Sequence, residues 1–207
     1  MEDLLMNSLI SHYNLTAPTI TNWFIQTTAT YFEIEDTNAE ISLDVTKGSG
    51  TGKFKNQDAL NIRVFNYDKF ITSIPNEPFK HCRKRCDFLL DSRNHRYLIL
   101  GEIKDRRILD ENARENVRMI AKNQLLSSLK TLLEVPEIDS HSTHKDIKRC
   151  CYFNKQSSSP ATLTATTAFN RLPNFYTDGF QMSNPEIEAY GFDFYEYTGE
   201  QTMTLMN

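Results

Sequence analysis

Residues 85–104 read Arg85-Cys86-Asp87-Phe88-Leu89-Leu90, then a polar turn, then Tyr97-Leu98-Ile99-Leu100-Gly101-Glu102-Ile103-Lys104. Two apolar runs joined by Arg93-Asn94-His95 predict two antiparallel strands, over 86–91 and 96–104. Side chains alternate along a strand, so Leu98, Leu100, Glu102 and Lys104 share one face while Tyr97, Ile99 and Ile103 line the other. Both faces are apolar, which predicts a central strand covered on two sides. Charges at the end of such a strand need partners. Asp87 beside Glu102 and Lys104 would place two carboxylates and an ammonium together, a set suited to a divalent metal and a phosphodiester. The bland alternative is a surface Asp and an unrelated Glu–Lys pair. Asp91 is the rival metal ligand, near the turn, and Gly101 predicts a bulge or the close approach of a ligand.

The strongest helical pattern follows at 110–134, where Val117, Ile120, Ala121, Gln124, Leu125, Ser128 and Leu132 share one broad face. A Ser-, Thr- and His-rich loop is expected over 135–146, then a third core strand over 147–153. Strand, helix and strand in that order predict a crossover beside the sheet. Towards the N-terminus, helices are expected over 3–12 and 20–32 and a strand over 39–46, with 60–66 and 69–74 open between strand and short helix. Pro75-Asn76-Glu77-Pro78 reads as a turn. Residues 155–167 are polar, 168–184 irregular, and 189–198 look like a late strand, with the last residues frayed or on the surface. No repeat or low-complexity tract is present.

The chain has 207 residues, 39% of them hydrophobic and 24% charged, which fits one domain over 1–207 with a substantial core. No run approaches a membrane span, and the acidic start Met1-Glu2-Asp3 lacks the basic flank of a signal peptide, so a soluble cytoplasmic protein is expected. Cys82, Cys86, Cys150 and Cys151 do not form a disulfide framework; buried thiols are expected over zinc, because neighbouring Cys150 and Cys151 would face opposite ways. Lys47 to Lys53 carries glycines but not the Gly-Lys-Ser/Thr order of a phosphate loop.

Net charge is −4, yet residues 81–155 hold 16 basic and 11 acidic side chains, placing a positive segment around the candidate site. Lys80, Arg83, Lys84 and Arg85 run into Asp87; Arg106 and Arg107 follow Lys104; Lys145, Lys148 and Arg149 precede the third strand. Such clusters grip phosphates without reading bases. Solvation of turns and helix faces is the alternative. His81 and His95 are expected to face solvent.

The order of a strand with Asp87, a strand ending Glu102-Ile103-Lys104, a helix and a strand resembles the PD-(D/E)xK, or restriction-endonuclease-like, nuclease superfamily. Cys86 stands where the family often has Pro, and Gln124 matches a helix glutamine found in some members. The resemblance covers about 80–154. It implies an α/β fold with a mixed central sheet and helices on both faces. Asp87 and Glu102 would hold Mg²⁺, with Mn²⁺ able to substitute, and the Ile103 carbonyl would complete the shell. Lys104 would orient the attacking water, and Gln124 would reach Lys104, a metal-bound water or the DNA, or else bond to backbone. DNA is the implied substrate, with a 5′-phosphate product and a restriction, defence or mobile-element role. A homodimer and a regulatory or defence-system partner follow from the same analogy. Glu33, Glu35 and Glu77 are candidate outer acids. The alternatives are a catalytically inactive nuclease-like binding protein and an acidic interaction or immunity protein.

Overall fold

The computed structural model describes residues 1–37, 40–44, 50–104, 110–155, 178–199 and 201–207. A π-helical turn Leu4–Leu9 runs into α1 (Ile10–His12), followed by β1 (Phe24–Thr27), β2 (Tyr31–Thr37), β3 (Glu40–Asp44), β4 (Gly52–Asn56) and β5 (Ile62–Asn66). Next come α2 (Tyr67–Ser73), α3 (Glu77–Cys82), β6 (Phe88–Ser92), β7 (Tyr97–Lys104), α4 (Glu111–Leu133), α5 (Pro136–Thr143) and β8 (Ile147–Asn154). The chain ends with β9 (Phe180–Met182), α6 (Pro185–Glu188), β10 (Asp193–Thr198) and β11 (Met203–Leu205).

The fold is mixed α/β. A seven-stranded sheet has the order β1-β5-β6-β7-β8-β10-β9, and a four-stranded sheet has the order β11-β4-β2-β3. The β6–β7 pair is antiparallel, whereas β7, β8 and β10 run parallel to one another. As expected, β7 is central and its two faces belong to different cores. Leu98 and Leu100 pack with Ala121, Leu125 and Leu129 of α4. Tyr97, Ile99 and Ile103 pack instead with Phe32, Ile34 and Phe54 of the small sheet. The helices therefore flank one face of the central sheet and the small sheet covers the other, which corrects the expectation of helices on both faces. The small sheet supplies a ready-made apolar surface, so no second helical layer is needed.

Several local readings change with it. Residues 20–32 are not a helix: β1 pairs antiparallel with β5, Phe24 opposite Phe65, and Trp23 stacks on Phe70 at 4.9 Å between ring centres. Aromatic and β-branched residues suit a pleated surface better than a helix here. Residues 60–66 give strand β5 and 69–74 fall largely within α2. The Pro75–Pro78 turn leads at once into α3, and the loop expected at 135–146 contains α5. Pro136 begins α5, where its missing N–H costs nothing, and buried Ile138 anchors it. The C-terminal residues do not fray: Met203 and Leu205 are buried, and β11 pairs in parallel with β4. On α4, Ile120 is exposed rather than on the core face.

Gly101 forms no bulge; it stays in register opposite Phe88. A Cβ there would lie 2.0–2.6 Å from atoms of the Phe88 ring, so the close approach comes from that ring. Gly101→Ala should therefore lower stability by about 2–3 kcal/mol in urea unfolding, through overpacking of a core that cannot expand. An unchanged midpoint would contradict this packing.

Candidate active site

The three parallel strands change character at one level. Leu98 and Leu100 give way to Glu102 and Lys104, Cys150 to Tyr152 and Asn154, and Phe194 to Glu196 and Thr198. The pairing registers align Glu102 with Tyr152 and Tyr152 with Glu196, then Lys104 with Asn154 and Asn154 with Thr198. Two polar rows thus cross the carboxyl ends of parallel strands, where open α/β sheets bind ligands.

Asp87 reaches this edge from the position just before β6. Its Oδ2 accepts the Ile103 N–H at 2.6 Å, its N–H donates to Gly101 O at 3.0 Å, and its carbonyl accepts from Tyr67 N at 2.9 Å. The approach to Asp87 is fixed by one side of α4. Gln124 Nε2 donates to Arg85 O at 3.0 Å, and the Cys86 N–H donates to Ser128 Oγ at 2.7 Å. These helix residues are one turn apart and face the same way. Gln124 therefore takes the backbone-bonded alternative and positions the strand carrying Asp87.

Glu102 is fully buried. Lys104 pairs with its Oε1, while Oε2 is buried with no hydrogen-bond partner among the described residues. Burial pushes the Glu102 carboxyl well above the usual range, nearby Asp87 pushes it further, and Lys104 opposes both. Burial likewise moves Asp87 up to about 7, against the Ile103 hydrogen bond and the Lys104 charge. Asp36 on β2 adds repulsion to both carboxylates. Beside them, burial and Glu196 push the Tyr152 hydroxyl up to about 12, so it remains a proton donor.

This donor set fits a hard divalent cation. Two carboxylates lie at one edge, one oxygen lacks a hydrogen bond, and the charged forms are disfavoured without a counter-ion. Among the described residues no group of three His, Cys, Asp or Glu forms a metal cage. Mg²⁺ commonly binds through one or two carboxylates, completed by water and phosphate oxygens.

Asp87, Glu102, Ile103 and Lys104 are thus brought together. Most of the expected phosphate contacts are engaged elsewhere. Arg85 pairs with Asp68 and donates to Lys80 O at 2.8 Å and Thr72 Oγ1 at 3.0 Å. Arg83 lies over the Tyr13 and Phe79 rings at 4.5 and 4.7 Å and donates to Thr131. Lys80 pairs with Glu77 at 2.6 Å, and Lys148 lies 5.4 Å from the centre of the Phe192 ring. Lys84 is exposed, and Arg106 and Arg107 lie outside the described residues, as do 45–49 and 156–177.

The outer acids Glu33, Glu35 and Glu77 do not join the cluster. Glu33 is buried in the small sheet, accepting from Tyr31 and from Gly50 N. Glu35 alternates with Ile34, so it points away from the central sheet. Glu77 pairs with Lys80 and with the exposed His81. Asp91 is held by Arg63, His141 and Lys145 at the opposite end of β6 and does not join Asp87. Cys150 lies in the helix-side core and Cys151 in the sheet-side core, against a shared zinc.

Sequence reasoning missed Asp36, Tyr152, Glu196 and Arg118. The signal for Asp36 was present as Phe32-x-Ile34-x-Asp36, an apolar strand face ending in an acid like that of β7, hidden by the helical reading of 20–32. A scan against protein-family models, a search of curated proteins and a search of solved structures each give no match to this chain. Among the described residues, no helix is long and apolar enough to cross a membrane.

Proposed function

We propose that this protein is a Mg²⁺-dependent deoxyribonuclease of the PD-(D/E)xK type. The observation carrying this reading is the buried Glu102 oxygen without a hydrogen bond, beside an Asp87 that is itself poised near neutral pH. Asp87 and Glu102 would hold the metal, with Mn²⁺ able to substitute, and a bound ion there would supply Lewis acidity to the scissile phosphate and to a water.

The chain's own residues do the rest. The Ile103 N–H fixes one Asp87 oxygen, and the other would serve as the metal ligand. Glu102 holds the Lys104 ammonium, which is only partly exposed, at the edge where it orients the water and stabilises charge on phosphate oxygens. Gln124 and Ser128 hold the strand entering Asp87, so the carboxylates need little reorganisation on binding. Phosphoryl transfer asks mainly for such positioning and electrostatics.

The test is cleavage of supercoiled and linear DNA by the full chain with Mg²⁺, Mn²⁺ or EDTA. Metal-dependent cleavage is expected. Binding without cleavage would favour an inactive nuclease-like binding protein, and cleavage of RNA alone would move the substrate class.

A further inference from the structure

We infer that Arg118 is a substrate-binding residue that grips a DNA phosphate beside the scissile one, with Glu196 as its positioning residue. This rests on the nuclease reading of Asp87, Glu102 and Lys104.

Glu102, Tyr152 and Glu196 lie side by side on three parallel strands and face α4. Arg118 of α4 closes onto the far end of that row. Its Nε donates to Glu196 Oε2 at 2.8 Å and a terminal nitrogen donates to Oε1 at 3.2 Å. Glu196 is buried and is held from below by Asn154 Nδ2 at 3.1 Å. The guanidinium plane is therefore fixed by a fork-to-fork contact whose base is itself fixed. Arg118 nevertheless remains 39% exposed.

A guanidinium has five N–H donors, and two suffice for Glu196. No further hydrogen-bond partner of Arg118 occurs among the described residues. The remaining donors are those that match the oxygens of a phosphate. Two strand spacings separate Glu196 from Glu102, about 10 Å. Phosphates of one DNA strand wind around the helix, so their direct spacing exceeds the axial rise of about 3.4 Å, and about 10 Å spans one to two nucleotides. The scissile phosphate at Glu102 and a flanking phosphate at Arg118 can thus be held together. Tyr152 lies between them, within electrostatic reach of Glu102, Glu196 and Arg118.

The experiment measures duplex binding in Ca²⁺, to hold cleavage off, across about 50–200 mM salt, together with Mg²⁺-dependent cleavage kinetics. Arg118→Ala and Arg118→Gln are compared with wild type; the glutamine keeps a hydrogen bond to Glu196 without the charge. Both should weaken binding about tenfold and reduce the salt slope by about 0.9, the loss of one phosphate contact. KM should rise about tenfold while kcat stays within about threefold. Arg118→Lys should keep the salt slope, because the charge remains. A folded glutamine variant with unchanged slope and KM overturns the assignment and leaves the nuclease reading standing. A wild type that neither binds nor cleaves DNA overturns both. Binding without cleavage, with the slope still reduced, keeps Arg118 as a DNA contact and sinks the catalytic reading.

Discussion

Glu102→Gln should abolish cleavage and, at the same time, make the metal-free protein more stable. A carboxylate buried at the end of a central strand opposes folding when ionised. The pH dependence follows from Asp87. Folding raises its pKa from about 3.9 to about 7, so its protonated form is favoured in the native state. Its stabilising contribution is complete below pH 4 and is lost as pH rises through 7, since between these values the folded state holds a proton that the unfolded state has shed. Glu102, also raised, acts in the same direction. Metal-free wild type should therefore lose stability from acid to neutral pH, and Mg²⁺ should restore it most at the alkaline end. In Glu102→Gln the repulsion between Glu102 and Asp87 is removed while that of Asp36 on Asp87 remains, the metal-free Tm at alkaline pH rises by about 3–6 °C, and the Mg²⁺-induced rise is lost. Cleavage should fall about a thousandfold or more. Lys104→Ala separates the two roles: cleavage is lost while Mg²⁺ stabilisation remains. A Glu102→Gln variant less stable than wild type, with an intact Mg²⁺ shift, would remove the basis for the metal site.

The part of this site nearest in sequence was legible because it rests on local structure. Asp87, Glu102 and Lys104 sit on an antiparallel hairpin whose two apolar runs and polar turn fix their neighbourhood, and period-two alternation assigned the faces of β7 correctly. The strong pattern of α4 was equally readable. The row from Glu102 through Tyr152 to Glu196 was not, because it depends on the registers of parallel strands joined by long crossovers. Asp36 was hidden for a related reason. It lies on a threonine-flanked strand whose partners β3 and β4 decide its conformation, and tertiary pairing outweighed local propensity there. The basic residues teach a different lesson. Arg83 and Arg85 stand beside Asp87 in sequence, but rings, hydroxyls and carbonyls engage them, so density of positive charge did not identify Arg118, the half-exposed guanidinium that Glu196 holds on α4.

Asp91 carries the largest expected effect on stability alone. Its carboxylate is almost fully buried, on β6 opposite Leu98, near the start of β7 rather than its end. It takes Lys145 Nζ at 2.5 Å, His141 Nε2 at 3.0 Å and an Arg63 terminal nitrogen at 3.1 Å, with the Met1 amine at 3.8 Å. Burial alone would raise its pKa, but the His141 hydrogen bond and the Lys145 charge overcome that and hold the carboxyl well below the usual range. Its stabilising contribution is therefore complete above pH 4 and is lost as acid titrates it through that depressed value. Asp91→Asn preserves shape but leaves the Lys145 ammonium, itself buried, without its counter-charge. The expected cost is about 3–5 kcal/mol in urea unfolding at neutral pH, shrinking in acid as the wild-type carboxylate is protonated. Lys145→Met should cost less, because Asp91 then keeps Arg63 and His141. Four residues of strand, about 13 Å, separate Asp91 from Asp87, so the folded fraction of Asp91→Asn should bind Mg²⁺ as wild type does. If Asp91→Asn instead lost Mg²⁺ binding while keeping its stability, Asp91 rather than Asp87 would be the metal-binding acid of β6.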